Sequence, residues 1–347
     1  MKRQWQRREF LAATLGLGTA ACWTSLVWAA DTLVAATFPG TWNDAHSKVL
    51  GPWFKKTSKA DLALTIQLAT DQVAKLAAAG GKPPFDVAIM DEGPLLDALK
   101  QDLFVKYPID KSANYKLLYP MFQDEWGPKI SMQVIGIAYN PKKIKTPPKS
   151  WNDLNNPAYK GRVGLTALNS TLGISYLAEL ARINGGSESD LEPGFKALAR
   201  LLPNVGAVSA NLGAHATLFQ QEQVDIGPFN FNFVETLKSK GVDVEFVVPE
   251  SGPVAWRTSL HVVKNAARPD LAFQYIEGAI TPEVQAEMTK PPYDIIPTHT
   301  KVPLTALMSE KIARTPADLG KLRFQDWAKL NAVRSAAIER FNKEIKV

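Results

Sequence analysis

Apolar residues along this chain recur in two alternating rhythms. Leu62, Leu64, Ile66 and Leu68 alternate with Ala63, Thr65 and Gln67, the period-two pattern of a half-buried strand. Upstream, Thr32 to Phe38 reads as a strand broken by Pro39-Gly40. Val49, Leu50, Trp53 and Phe54 then form one face of a helix that Asp44 can cap. Downstream, Gln72 to Ala79 is helical and stops at Gly80-Gly81. Phe85 to Met90 is a buried strand that ends in Asp91-Glu92-Gly93, and a helix follows from Pro94 to about Gln101. Strand and helix alternating at this spacing predict an α/β layer with a largely parallel sheet.

The rhythm repeats after Ile130–Tyr139, a long apolar strand closed by Asn140-Pro141 and a basic, proline-rich link, Lys142 to Lys149. Strand 162–165, helices 172–184, 191–202 and 212–221, strand 224–229, helix 231–240 and strand 242–248 make a second α/β unit. The pivotal stretch runs from Val247 to Val263. It is an apolar strand, a break at Gly252-Pro253, then a second strand carrying Trp256-Arg257-Thr258-Ser259. Such a stretch returns the chain to the first unit and places binding chemistry at the crossing. Helices are expected over 270–280, from Pro282, and through the tail from Pro316 to Ile345. In open α/β sheets solutes bind beyond the carboxyl ends of strands. The cleft should therefore draw on Phe38–Asp44, Asp91–Gly93, Leu168–Gly173, Phe229–Asn232 and Trp256–Ser259.

Length and charge narrow the class. At 347 residues the chain exceeds one ordinary core. Its net charge of +6 includes a basic N-terminus, and no Lys/Arg cluster is interleaved with aromatics, so nucleic acid is not the expected partner. Arg7-Arg8-Glu9-Phe10-Leu11, a moderately apolar run and Val27-Trp28-Ala29 describe a cleaved export signal over 1–29 of the twin-arginine type. The lone cysteine, Cys22, lies within it, beside a poor lipid-attachment box. Cleavage after Ala29 leaves no thiol for disulfides, metal or catalysis.

Phe85-Asp86-Val87-Ala88-Ile89, Ile135-Gly136-Ile137-Ala138-Tyr139-Asn140, Trp151-Asn152-Asp153-Leu154 and Pro157-Ala158-Tyr159-Lys160-Gly161-Arg162-Val163 occur in this order. With them the chain, over roughly residues 30 to 345, resembles the periplasmic solute-binding proteins of ABC importers. The likeness is to extracellular solute-binding family 1, in its spermidine/putrescine receptor-like branch. The resemblance implies a two-lobed periplasmic binding protein of type II with a hinged inter-lobe cleft. Lobe 1 would span 30–137 and 257–303, and lobe 2 would span 138–256 and 304–347. It also implies a small-molecule ligand, an ABC permease at the inner membrane as partner, a monomeric state, and no cofactor or metal. Trp42, Asp44 and Trp256 fall where polyamine receptors keep aromatic and acidic contacts. The acid two residues after the crossover tryptophan is Thr258 here, and the second-lobe acids are replaced by Asn169-Ser170-Thr171.

These departures shift the expected ligand. Arg257 offers a bidentate fork for a carboxylate, with Thr258 and Ser170 as donors, and Asn169–Thr171 can open a helix whose free N–H groups favour an anion. Asp91, Glu92 and Asp44 could hold an amine, while Trp42, Trp256 and Phe229, with Asn230 beside it, would wall the site. The expected ligand is a small carboxylate-bearing solute, amino-acid-like or a short organic acid, with a polyamine as the alternative. An exported enzyme is the remote rival. His46, His215, His261 and His299 show no metal spacing, and neither a Gly-x-Ser-x-Gly elbow nor a phosphate loop occurs. No Tyr-Tyr pair supports a ferric-ion receptor.

Overall fold

A computed structural model describes residues 31–345; the expected export signal and Cys22 lie outside them. Ten strands form one mixed sheet among the described residues: β1 (Thr32–Thr37), β2 (Asp61–Ile66), β3 (Val87–Asp91), β4 (Lys129–Tyr139), β5 (Val163–Thr166), β6 (Val205–Ser209), β7 (Ile226–Asn230), β8 (Glu245–Val247), β9 (Val254–Val262) and β10 (Arg323–Phe324). The order is β2-β1-β3-β9-β4-β7-β5-β6, with β10 on β9 and β8 on β4. One half holds β1, β2 and β3 in parallel and the other holds β5, β6 and β7 in parallel. The α/β expectation therefore holds for both.

Two long antiparallel strands join the halves. The first part of β9 pairs with β4, and its second part pairs with β3. The far end of β4 pairs with β7. Every residue of β4 is buried, which explains why its sequence is a near-continuous apolar run rather than an alternation. The crossing expected at 247–263 is real: β8 ends at Val247, the chain turns through Gly252 at a φ of 86°, and β9 begins at Val254.

Helices cover both faces. The first half carries α1 (Thr41–Ala45), α2 (Gly51–Ser58), α3 (Ala69–Ala78) and α4 (Glu92–Lys100). The second carries α5 (Thr171–Ile183), α6 (Glu192–Leu201), α7 (Leu212–Gln220) and α8 (Phe231–Ser239). The chain then adds α9 (Pro269–Ala279), α10 (Pro282–Met288), α11 (Ala306–Lys311) and α12 (Trp327–Glu344).

Three expectations about elements are corrected. Asp44 caps nothing: helical backbone begins at Thr41 after Gly40 and passes through a π-helical turn at His46–Leu50 into α2. The tail is not helical from Pro316. A 3₁₀ turn over Pro316–Lys321 and the short strand β10 precede α12, because Arg323 and Phe324 pair with Val254 and Ala255. Strand β6, a Val-Gly-Ala-Val-Ser run, was not anticipated, and the strand expected over 242–248 shrinks to β8.

Candidate ligand-binding site

Each strand of a parallel layer delivers the chain to a helix N-terminus, and several such junctions converge between the two sheet halves. Phe38, Pro39 and Trp42 come from the β1–α1 junction, and Leu68, Ala69 and Thr70 from the start of α3. Asp91 ends β3. Asn169, Ser170, Thr171 and Leu172 form the β5–α5 junction, Leu212 opens α7, and Gln133 and Trp256 come from the crossing strands. Together they line a narrow cavity closed down to about 20 Å³, room for roughly one water.

Asp91 is the one ionisable side chain among the residues lining this space. Its register partner on β9 is Thr258, whose hydroxyl donates to Oδ1 at 2.9 Å. From the other half of the sheet the Thr171 hydroxyl donates to Oδ2 at 2.6 Å. Burial raises the Asp91 pKa to about 6, against the opposing pull of these hydroxyls and the Arg334 guanidinium. Trp256, 1% exposed, forms a wall, and its indole N–H is directed to the Asp91 carboxylate, whose charged form it favours. Trp42 is equally buried and meets Phe38 edge-on, ring centroids 6.5 Å apart. Neither α3 nor α5 has a side-chain cap. Their first-turn N–H groups leave a partial positive charge facing the cavity.

The structure assembles Trp42, Asp91, Asn169, Ser170, Thr171 and Trp256 around the space, with Thr258 one bond behind Asp91. It does not bring the other candidates there. Arg257 alternates away from Trp256 and Thr258 on β9, as strand geometry demands. Its guanidinium forms an ion pair with Glu92 and stacks on Phe324 at 4.2 Å, in a separate groove. Neither Arg257 nor Glu92 is free to grip a solute, so the expected carboxylate fork is withdrawn. Asp44 is half-buried on α1, outside the cavity. Phe229 is core, packed among His215, Phe219 and Phe233. Asn230 reaches the site only through its side-chain amide, which donates to Gln133 at 2.8 Å.

Sequence reasoning missed Leu68–Thr70, Gln133 and Leu212. The end of β2 was a readable signal for the first, because the strand-end rule applies to it as well. Gln133 was hidden inside an apolar strand. Arg334, on the last helix, gave no signal at all.

Residues 53–317 match the family model described as bacterial extracellular solute-binding protein. The spermidine/putrescine-binding periplasmic protein of Escherichia coli K12 is 25% identical over 184 residues, 53% of this chain and 49% of that protein; the chain thus spans about half the length of the curated relatives it matches. Among solved structures, the binding protein AgtB of A. tumefaciens R10, in complex with agropinic acid, has a TM-score of 0.77 at 18% identity, covering 91% of this chain and 98% of AgtB. The periplasmic binding protein AfuA of Actinobacillus pleuropneumoniae, bound to fructose-6-phosphate, has a TM-score of 0.75 at 20% identity, covering 91% of this chain and 99% of AfuA. At such identities these likenesses establish the two-lobed α/β fold and leave the ligand to the site itself.

Proposed function

The chain belongs to the bacterial extracellular solute-binding proteins, and on that premise we propose that it is the exported receptor of an ABC importer for a small solute bearing a protonated amine. The ammonium sits on Asp91, and the apolar part lies between Trp42 and Trp256. An acceptor end, such as a carboxylate, faces the uncapped start of α5. The observation carrying this reading is the lone buried carboxylate of Asp91 in an aromatic-walled cavity. A desolvated carboxylate gains most from a cationic partner. A short amino-acid-like or ω-amino acid satisfies both ends. Docking on a membrane permease, a periplasmic location reached by the twin-arginine route, and action as a monomer complete the proposal. Among the described residues no helix is long and apolar enough to cross a membrane.

A polyamine is the second reading, favoured by the name of the curated relatives. With one acid lining the cavity, its second ammonium would have no charge partner inside.

Isothermal titration of the mature protein with γ-aminobutyrate, common amino acids, putrescine, spermidine, succinate and fructose-6-phosphate separates these readings. An amine-bearing solute should bind, and Asp91→Asn should weaken it about a hundredfold or more, consistent with about 3 kcal/mol for a charge-assisted contact. Arg257→Met should leave the affinity within about threefold, since Arg257 faces another groove. Binding of succinate or the sugar phosphate with no amine bound, or loss of binding in Arg257→Met, would sink the proposal.

A further inference from the structure

Gln133 lines the cavity with a polar end whose direction is set by the core behind it. It stands in the middle of β4, opposite Trp256 in the register with β9, so the two side chains share a face. Ile135, two residues on, pairs with Asn230 at the end of β7, which puts Asn230 diagonally beside Gln133 on that same face. Gln133 is 3% exposed and Asn230 fully buried. Asn230 donates Nδ2 to Gln133 Oε1 at 2.8 Å. The Gln133 carbonyl is thereby taken up by the core, and its Nε2, with two N–H groups, keeps no partner among the described residues.

The opposite orientation costs more. Reversing both amides keeps one bond between them but moves the Asn230 NH2 to where its oxygen now stands, buried and without a partner. An orphaned N–H is rarer in folded proteins than an under-satisfied carbonyl. The end of Gln133 left for the cavity is therefore a donor, while Asp91 in the same lining is an acceptor. A solute that satisfies both must accept at one end and donate at the other. A diamine would set N–H against N–H at Gln133, leaving both desolvated and unpaired.

We propose that Gln133 is the specificity-determining residue for the solute's second end: its amide N–H groups receive a carboxylate or carbonyl oxygen and turn away a second ammonium. This deepens the reading above and rests on it for the cavity, not for the ammonium on Asp91, so each can fail alone.

Isothermal titration of the mature protein with γ-aminobutyrate, succinate and putrescine tests it. γ-Aminobutyrate should bind more tightly than putrescine. Gln133→Met, which keeps the length and removes the donor, should weaken γ-aminobutyrate by about tenfold or more. Gln133→Glu, whose carboxylate still accepts from Asn230, should weaken it further and bind putrescine about tenfold better than the wild type does. Nitrogen-15 NMR reads the contact itself: the Gln133 side-chain amide, assigned by its loss in either variant, should move downfield on saturation with γ-aminobutyrate. Should one variant not fold, that signal still decides. A folded Gln133→Met protein with unchanged affinity, an amide signal that stays in place, or putrescine as the tighter wild-type ligand overturns the inference; the last leaves the ammonium on Asp91 standing. Succinate bound in place of both amines, and lost in Gln133→Met, sinks the amine reading and supports this one. If none of the three binds, both fall.

Discussion

Arg257 reads from the sequence as the leading charge in a binding site and Asp91 as a secondary one, and strand geometry reverses them. On β9 the side chains of Trp256 and Thr258 share a face, and that face meets Asp91. Arg257 must then point the other way. That inference was available from the sequence once Trp256-Arg257-Thr258 was read as strand, since a period of two forbids all three from entering one pocket. What the sequence withheld was the partner: Glu92 lies 165 positions away along the chain, and nothing local marks the pair. Asp91 also carries a stability consequence with a definite sign. Its folded pKa, about 6, lies above the ordinary aspartate value of 3.8. Between those values the native state holds a proton that the unfolded chain releases, so stability from this group is fully present below about pH 3.8 and is lost as pH rises through about 6. The cost at neutral pH is of order 3 kcal/mol. Asp91→Asn keeps an oxygen acceptor for one hydroxyl and removes the buried charge. It should raise the melting temperature at pH 7.5, with the gain shrinking toward pH 4. A gain that ignores pH would show that burial of this charge is not its source.

Elements with a strong period were legible, and those held by distant partners were not. The alternation at 62–68 and the apolar run of β4 both reported strands, although in β2 Leu62 and Leu64 are only half-buried and Ile66 is exposed, while every residue of β4 is buried. Strands β6 and β10 have five and two residues, too short for a period to show, and they exist because β5 and β9 offer them an edge. Helix α5 combines both cases. Its apolar stripe was readable, yet its anchor is Glu179, fully buried in the middle of the helix. The carboxylate accepts from Arg182 at 2.7 and 2.9 Å, from Arg323 at 3.0 Å and from Ser251 at 2.9 Å. One side chain thereby ties α5 to β10 and to the turn before β9. An acid in a buried helix face reads from sequence as a fault in the pattern; here its partners make it a clamp. Glu179→Gln keeps an oxygen acceptor but loses the charge that Arg182 and Arg323 share, while Arg323 retains Glu188 at 2.8 Å, so it should cost about 1–2 kcal/mol. Urea denaturation would register this as a lower midpoint with an unchanged slope. A loss below about 0.5 kcal/mol would mean that solvent already screens the cluster.

Across the whole molecule, several side-chain contacts join the two halves of the sheet. The Thr171–Asp91 bond is one. Thr41 and Thr236 are joined through their hydroxyls at 3.0 Å, and Thr236 also donates to the Pro292 carbonyl at 2.6 Å. At Gly40, where φ is 82°, an added Cβ would lie 2.6 Å from the Phe233 ring at the start of α8. The β1–α1 junction therefore reaches this proximity to the second half only because position 40 has no side chain. Closure of a two-lobed receptor contributes to affinity in proportion to the fraction of molecules that can reach it. Gly40→Ala should push the halves apart and weaken solute binding by about tenfold or more, and small-angle scattering should show a smaller contraction on saturation with the bound amine. Backbone strain alone could imitate part of this, because alanine is disfavoured at positive φ. Gly80 supplies the control: its φ is 56°, and an added Cβ there meets nothing within 4 Å. Gly80→Ala also places an alanine at positive φ but brings its Cβ against no neighbour, so it should lower stability and leave affinity alone. Equal losses of affinity in the two variants would place the effect in the backbone and remove Phe233 from the account of closure.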